Sequence, residues 1–217
     1  MLAALLMALP GLAGCQSTAD PVWEMLRAVV SGGKNPTGEG LDPRVDFLRV
    51  TSRQRVAFFA LGYVEPNPRG AIEVWYSAEY ETLRLQNGRV VGLSGTLAEW
   101  REVRLPELPT WPELLSRESP YQWTRLRDVM PGYQFNLRDE LQLRPITVPA
   151  KSSLVGLEAA SLSWFEERMT STSAGAEPLT PARYAVRRVN DGAVVVYGEQ
   201  CISADLCLTW QRWNPRP

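Results

Sequence analysis

The stretch "YETLRLQNGRVVGLS", residues 80–94, decides how this chain folds. Polar and apolar residues alternate through Thr82-Leu83-Arg84-Leu85, and a second apolar run begins at Val90-Val91. Alternation at period two is the pattern of a half-buried strand. Asn87-Gly88 separates the two runs, and Asn-Gly in that place predicts a type I′ turn, whose central residues both need positive φ. The stretch reads as an antiparallel hairpin.

The same chemistry extends outward in both directions. Upstream, "RVAFFALGYV" (55–64) and "AIEVWYS" (71–77) are rich in aromatic and branched residues that favour strands. Downstream, "YQWTRLRDV" (121–129) and "YQFNLRDELQLRPITV" (133–148) alternate as a half-buried antiparallel sheet requires. "RYAVRRVNDGAVVVYGEQC" (183–201) contains an Asp-Gly turn signal at 191–192. Between these runs, "RLPELPTWPELL" (104–115) interrupts the sheet and is expected to end in a short helix. "SLVGLEAASLSWFEERMTS" (153–171) fits both periods in parts, and "STSAGAEPLTPA" (171–182) reads as a loop. The expected fold is mainly β: antiparallel sheets forming a sandwich or half-barrel, with a few short helices. Residues 41–217 form one β-rich domain, and 104–118 is the expected join between two β-rich halves.

Composition sets limits on function. The chain has 217 residues, 45 % hydrophobic and 22 % charged, which suits a globular domain with a real core. A net charge of −1 gives no long-range field to gather nucleic acid, so none is expected as a partner. The chain contains no histidine. That removes Ser-His-Asp and Cys-His pairs, histidine general bases and histidine metal sites together. "GLSGT" (92–96) lacks the second glycine of a nucleophile elbow, and nothing would activate Ser94. Glu166 and Glu167 are neighbours and would face apart on a strand, so they cannot flank one glycosidic bond. "SGGKNPTGEG" (31–40) misses the phosphate-loop spacing and is a connector. No catalytic residue, metal site or cofactor is expected.

The amino-terminal segment predicts a location. Residues 1–14, "MLAALLMALPGLAG", are shorter than the about 20 apolar residues a membrane-spanning helix needs. They fit the apolar core of a secretory signal, although no Lys or Arg precedes it. Leu12-Ala13-Gly14-Cys15 looks like the lipobox of bacterial lipoproteins, in which the cysteine is acylated and becomes the new amino terminus. Two or more acyl chains, each adding about 0.8 kcal/mol per buried CH₂, make such an anchor firm. Gln16 stands where an aspartate would signal retention at the inner membrane, which favours the outer one. Residues 15–40 then hold the lipidated cysteine, a short helix and a linker. Asp20-Pro21 is a good helix start for "VWEMLRAVV", with apolar residues at helical spacing.

With Cys15 assigned to the tether, Cys201 and Cys207 remain. They flank "SAD" in what reads as a hairpin, and a separation of six places them on one side of the sheet. In an oxidising compartment they are expected to form a disulfide. Two cysteines without histidine make a poor zinc site, and the spacing is not that of a C-x-x-C redox pair.

The order of these features resembles the group 4 capsule polysaccharide lipoproteins, the GfcB/YjbF family. The likeness rests on the lipobox and "PVWEMLRAVV", on "WYSAEYETLRLQNGRVVGLSG", on "YQWTRLRDVMPGYQFNLRDELQLR" and on the closing "VVVYGEQCISADLCLTWQRWNP". The Cys201–Cys207 pair stands where that family carries an Asp- and Gly-containing turn, and 150–182 aligns poorly. The resemblance implies an outer-membrane lipoprotein on the periplasmic face, a non-catalytic accessory in capsule or exopolysaccharide assembly or export. Its expected partners are the membrane, through the anchor, and a polysaccharide or a protein of the export machinery. The rival readings are a periplasmic lipid or lipoprotein carrier and an outer-membrane protein assembly factor. Glycan would be held by aromatic faces and Arg forks. Trp111 in its Pro-bordered loop and Trp213 near the carboxyl end are the surface candidates among eight tryptophans. Arg125 and Arg127 share one strand face and are the cationic candidates, against the plainer reading of a solvated face. Arg187 and Arg188 point to opposite faces if they lie on a strand.

Overall fold

The computed structural model describes residues 37–53, 55–190 and 192–213. The apolar leader, Cys15 and the helix expected after Asp20 lie outside the described residues. The chain folds into strands β1 (Phe47–Ser52), β2 (Arg55–Glu65), β3 (Ile72–Tyr76), β4 (Thr82–Gln86), β5 (Arg89–Ser94) and β6 (Glu99–Arg104). A helix, α1 (Trp111–Leu115), follows, then β7 (Tyr121–Met130), β8 (Gln134–Ile146), β9 (Ser163–Thr172), β10 (Ala182–Val189), β11 (Gly192–Cys201) and β12 (Cys207–Trp213). Every strand pairs antiparallel with its sequence neighbours, and β12 returns to pair with β1 from Phe47↔Trp213 to Ser52↔Leu208. The ring is closed.

The mainly β, antiparallel fold with little helix is the one expected from the sequence, and its closure into a single ring replaces the expected sandwich or half-barrel. The passage 104–118 does not join two halves, because β6 and β7 on its two sides pair directly, from Glu99↔Met130 to Arg104↔Leu126. Its helix starts as the sequence suggests, with Pro112 in the first turn and a capping box between Thr110 and Glu113. It ends after one turn and a half, and its Trp111 and Leu114 side chains enter the core.

Antiparallel order gives the barrel two ends. The near end carries the start of β1, the end of β12 and the connections at 66–71, 87–88, 105–120, 147–162 and 190–191. The far end carries 53–54, 77–81, 95–98, 131–133, 173–181 and 202–206. Asn87 (φ 49°) and Gly88 (φ 73°) both take the left-handed conformation, as a type I′ turn demands. The last near-end turn differs by one residue from the Asp-Gly reading. Val189 pairs with Gly192, and Asn190 has φ 49°, so Gly192 begins β11 instead of making the turn. The ambiguous 153–171 divides into a loop, a short 3₁₀ turn at Ala159–Ser161 and β9.

The inside of the barrel is filled. Trp75, Trp100, Trp111, Trp123 and Trp210 belong to one core cluster with Phe59, Leu83, Leu85, Leu141 and Tyr184. Gly198 opposes Trp210, and a Cβ there would fall 2.6 Å from the indole, so only glycine leaves room for the ring. Outside, two smaller clusters lie under chain that folds back on the wall. Leu41 and Val45 cover Phe47, Phe58 and Trp213, and the 147–162 loop covers Trp164, Val196 and Tyr197. The rest of the wall carries ion pairs such as Arg84–Glu65, Arg144–Glu166 and Arg183–Glu199. A largely apolar inside and a charged outside is the reverse of a transmembrane barrel.

The cysteines are joined as expected. Cys201 pairs with Cys207 in register and the two are linked by a disulfide across the β11–β12 hairpin. The loop it closes matters to the core, because the Ile202 carbonyl accepts a 2.9 Å hydrogen bond from the buried Trp100 indole. Closing so short a loop stabilises by roughly 2 kcal/mol. The Cys201→Ser/Cys207→Ser variant should therefore melt about 4–8 °C lower in a calorimetric scan. Equal melting temperatures for the two proteins would show that the bond constrains nothing.

Candidate functional site

Arg125 and Arg127 alternate with Leu126 on β7 and do share one face, but it is the inner one. Their side chains are 4 % and 3 % exposed. Asp139, directly opposite Arg125 on β8, accepts from Arg125 Nε at 2.7 Å, from both Arg127 Nε and Arg127 Nη2, and from the Thr172 hydroxyl at 2.6 Å. The guanidinium carbons of Arg125 and Arg127 lie 4.7 Å and 5.2 Å from the Trp100 ring centre. Both residues are thus structural charges of the core and cannot meet a glycan from solution. The solvated-face reading fails for the same reason.

A second charged group adjoins the first. Glu167 on β9 points inward, as its neighbour Glu166 points outward to Arg144 and Arg168. Glu167 Oε2 faces Arg89 Nε at 3.5 Å, an ionic contact without hydrogen-bond geometry, and Oε1 lies 3.8 Å from Arg125 Nη1. Tyr184 donates to Oε1 over 3.4 Å. Arg89 on β5 and Glu167 on β9 are not neighbours in the sheet, so this contact runs across the lumen. Burial pushes the Glu167 carboxyl above its usual range, against the pull of Arg89 and Arg125. Burial opposes ionisation of Asp139 as well, yet the Arg127 hydrogen bond, the Arg125 charge and Thr172 hold that carboxyl below the usual range. A cavity of about 10 Å³ beside Arg125, Glu167 and Gln200 is room for one water.

Trp111 is a core residue, 5 % exposed, and not a surface one. Its indole N–H donates to the Asn87 carbonyl at 2.9 Å, and its ring meets Phe165, Tyr184 and the Arg89 guanidinium, which sits 4.4 Å above it. The one-turn helix therefore stoppers the near end of the barrel with an aromatic side chain. Trp213 is partly buried and packs its ring 5.6 Å from Phe58 on the outer wall. Arg187 and Arg188 are both exposed at the end of β10.

A concavity open to solvent lies on the outer wall towards the near end. It is a groove of about 260 Å³ bordered by Arg69, Arg84, Arg104, Glu65, Glu102 and Gln86, with Val91 and Leu105 in its floor. It sits over the seam between β5 and β6, whose pairing comes down to Leu93↔Trp100. Bulges at Arg84/Leu85 and at Trp100/Glu102 aim the flanking side chains outward. Arg84 pairs with Glu65 at 2.7 Å, Arg104 with Glu102 and Asp128, and Arg69 donates to the Leu105 carbonyl. Gln86 donates to Asn67 and to the Gly70 carbonyl. The groove presents guanidinium and amide donors beside carboxylates, a hydrogen-bonding surface for polar ligands. Among the described residues no group of three acidic or cysteine side chains is placed to hold a metal ion.

Over the described residues these features define a closed, filled antiparallel barrel with a polar groove on its wall. No family model matches the sequence, and no curated protein does. The fold is similar to the crystal structure of the hypothetical lipoprotein YmcC from Escherichia coli (K12), with a TM-score of 0.65 over 93 % of this chain and 99 % of that one. Identity is 16 %, so the likeness is one of fold.

Removing Asp139 tests the buried cluster. Asp139→Asn leaves two buried guanidiniums without their carboxylate and should cost about 3–5 kcal/mol in urea unfolding. The pH dependence follows from the sign of the shift. A carboxyl whose folded pKa is lowered stabilises above its unfolded pKa, and that contribution disappears as pH falls through the folded value. Stability of the wild type should drop below the ordinary carboxylate range more steeply than that of Asp139→Asn. Parallel acid profiles would show that Asp139 is not held ionised.

Proposed function

We propose that this protein is an outer-membrane lipoprotein, anchored through Cys15 on the periplasmic face, that assists assembly or export of a capsule or extracellular polysaccharide without catalysing a reaction. The observation that carries the reading is the junction Leu12-Ala13-Gly14-Cys15 ahead of a barrel whose fold resembles that of a lipoprotein. A disulfide within the described barrel agrees with an oxidising compartment. The role in polysaccharide export comes from the family resemblance of the sequence. The wall groove, with Arg69, Arg84 and Arg104, replaces Trp111, Arg125 and Arg127 as the surface for the polymer or its exporter.

The lipid-carrier reading loses ground on one observation. A carrier needs an apolar cavity of several hundred Å³. Here the positions that would line it are filled by Trp75, Trp100, Trp123 and Trp210. The assembly-factor reading finds no exposed strand edge among the described residues, because β1 and β12 pair.

A deletion strain should lose surface or released polymer, and the wild-type gene should restore it while Cys15→Ala does not. Labelled palmitate should enter the wild type and not the Cys15→Ala protein. Polymer unchanged by the deletion would end the export reading, and an unlabelled wild type would end the anchored one.

A further inference from the structure

The wall groove does not end at its charged border. On β2, β3 and β4 the register sets Glu65, Ile72 and Gln86 in one row across the sheet, and Tyr63, Val74 and Arg84 in the next. Residues two apart on a strand share a face, so Tyr63 stands on the same outer wall as Glu65, about 7 Å along β2. Its ring is 52 % exposed and lies 6.5 Å from the Tyr76 ring, the planes inclined by 40°. Tyr76 rests on Gly62, where a Cβ would fall 2.5 Å from the ring, so the bare backbone lets the ring lie against the wall. An aromatic pair thus continues the groove, and the Arg84–Glu65 ion pair marks the step between them.

Inside the groove one buried group is only half used. Gln86 is 4 % exposed. Its Nε2 donates to Asn67 Oδ1 at 3.2 Å and to the Gly70 carbonyl at 2.7 Å, which fixes the amide and leaves Oε1 as its acceptor on the groove. Among the described residues no donor reaches that oxygen, and buried polar atoms call for a partner. The charges, by contrast, are matched. Arg84 pairs with Glu65 at 2.7 Å, and Arg104 with Glu102 at 2.7 Å and Asp128 at 3.1 Å. Arg69 donates one N–H to the Leu105 carbonyl, and its other side-chain N–H groups have no acceptor among the described residues.

We infer that the groove and the tyrosine pair form one site for an uncharged stretch of sugar chain, with one ring against Tyr63 and Tyr76 and the next in the groove. The inference rests on the polysaccharide reading and selects the polymer over its exporter. A sugar ring offers apolar C–H faces together with hydroxyl groups that both donate and accept. The C–H faces suit the tyrosine rings and the apolar floor at Val91 and Leu105. In the groove one hydroxyl donates to Gln86 Oε1, and another accepts from the guanidinium of Arg69. A chain rich in carboxylates would meet Glu65 and Glu102 as like charges, at a cost to binding. Every ring of a sugar chain carries such faces and hydroxyls, so both halves of the site are served by one repeating ligand. A protein partner would need a separate, correctly placed residue for each.

The test uses the protein as its own cells make it, kept in detergent. It is titrated with oligosaccharides cut from the polymer those cells release, both native and after reduction of any carboxyl groups to alcohols. Tyr63→Ala and Arg69→Ala change exposed side chains and should keep the melting temperature. Each is expected to weaken binding at least about tenfold, by loss of an aromatic contact or of a charged donor. Arg187→Ala, exposed at the end of β10, should bind as the wild type does. Affinity should survive carboxyl reduction, and also a rise in salt from about 0.1 M to about 1 M, which cuts the screening length from about 10 Å to about 3 Å. Absence of binding overturns the inference, as does full affinity in either the Tyr63→Ala or the Arg69→Ala protein. Binding lost on carboxyl reduction or in salt overturns it too, since the ligand would then be acidic. The deletion strain reports on the export reading separately. Polymer lost there without binding to the isolated protein would leave that reading standing and strike this one. Binding at the site with polymer unchanged by the deletion would strike the export role and keep the site.

Discussion

Pairing of β12 with β1 is the constraint on which the rest of the structure depends. An open sheet of this length would leave two edges of unpaired N–H and C=O groups, a template for association with other chains. The continuous register from Phe47↔Trp213 to Ser52↔Leu208 removes both edges. It also divides every strand into an inner and an outer set of side chains. The inner set must then fill its space to the density of a core, and the strand tryptophans Trp75, Trp100, Trp123 and Trp210 are its largest members. Stoppering falls to residues outside the strands. Trp111 closes the near end from a one-turn helix, and Ile202 in the disulfide loop meets Trp100 towards the far end.

The buried charges follow from the same geometry. Arg89, Arg125 and Arg127 share the lumen with Asp139 and Glu167, and water cannot solvate them there. Such clusters are weak contributors to net stability, because desolvation offsets much of the attraction. Their effect on register is larger. Arg125 opposes Asp139 across β7 and β8, and a one-residue slip would carry Asp139 to the outer wall. Two guanidiniums would then be buried without their carboxylate. The aromatic faces of Trp100 and Trp111 provide the remaining support for charges that have more donors than acceptors.

With the lumen occupied, the outer surface is where the protein can meet other molecules. The polar groove over the β5–β6 seam lies there, towards the near end of the barrel. Its guanidinium and amide donors stand beside carboxylates, so it offers a ligand hydrogen bonds and charge.

The sequence by itself determined what is local. Asn87-Gly88 specified its turn because positive φ at both residues has few chemical solutions. Thr110 and Glu113 specified the helix start, and Cys201 and Cys207 specified their bond because strand geometry places them opposite each other. Alternation along 121–129 showed that the two faces of β7 differ. It could not show which face was wet, since Arg-Leu-Arg is usually read with arginine outside. That was decided only by tertiary structure, which placed Asp139, Trp100 and Glu167 around those guanidiniums from three other strands. The fate of Trp111 was decided in the same way, by Asn87, Phe165 and Tyr184. The groove has no sequence signature at all. It arises where two bulged strands approach through a single pair, and period-two patterning carries no record of how closely two strands will pair.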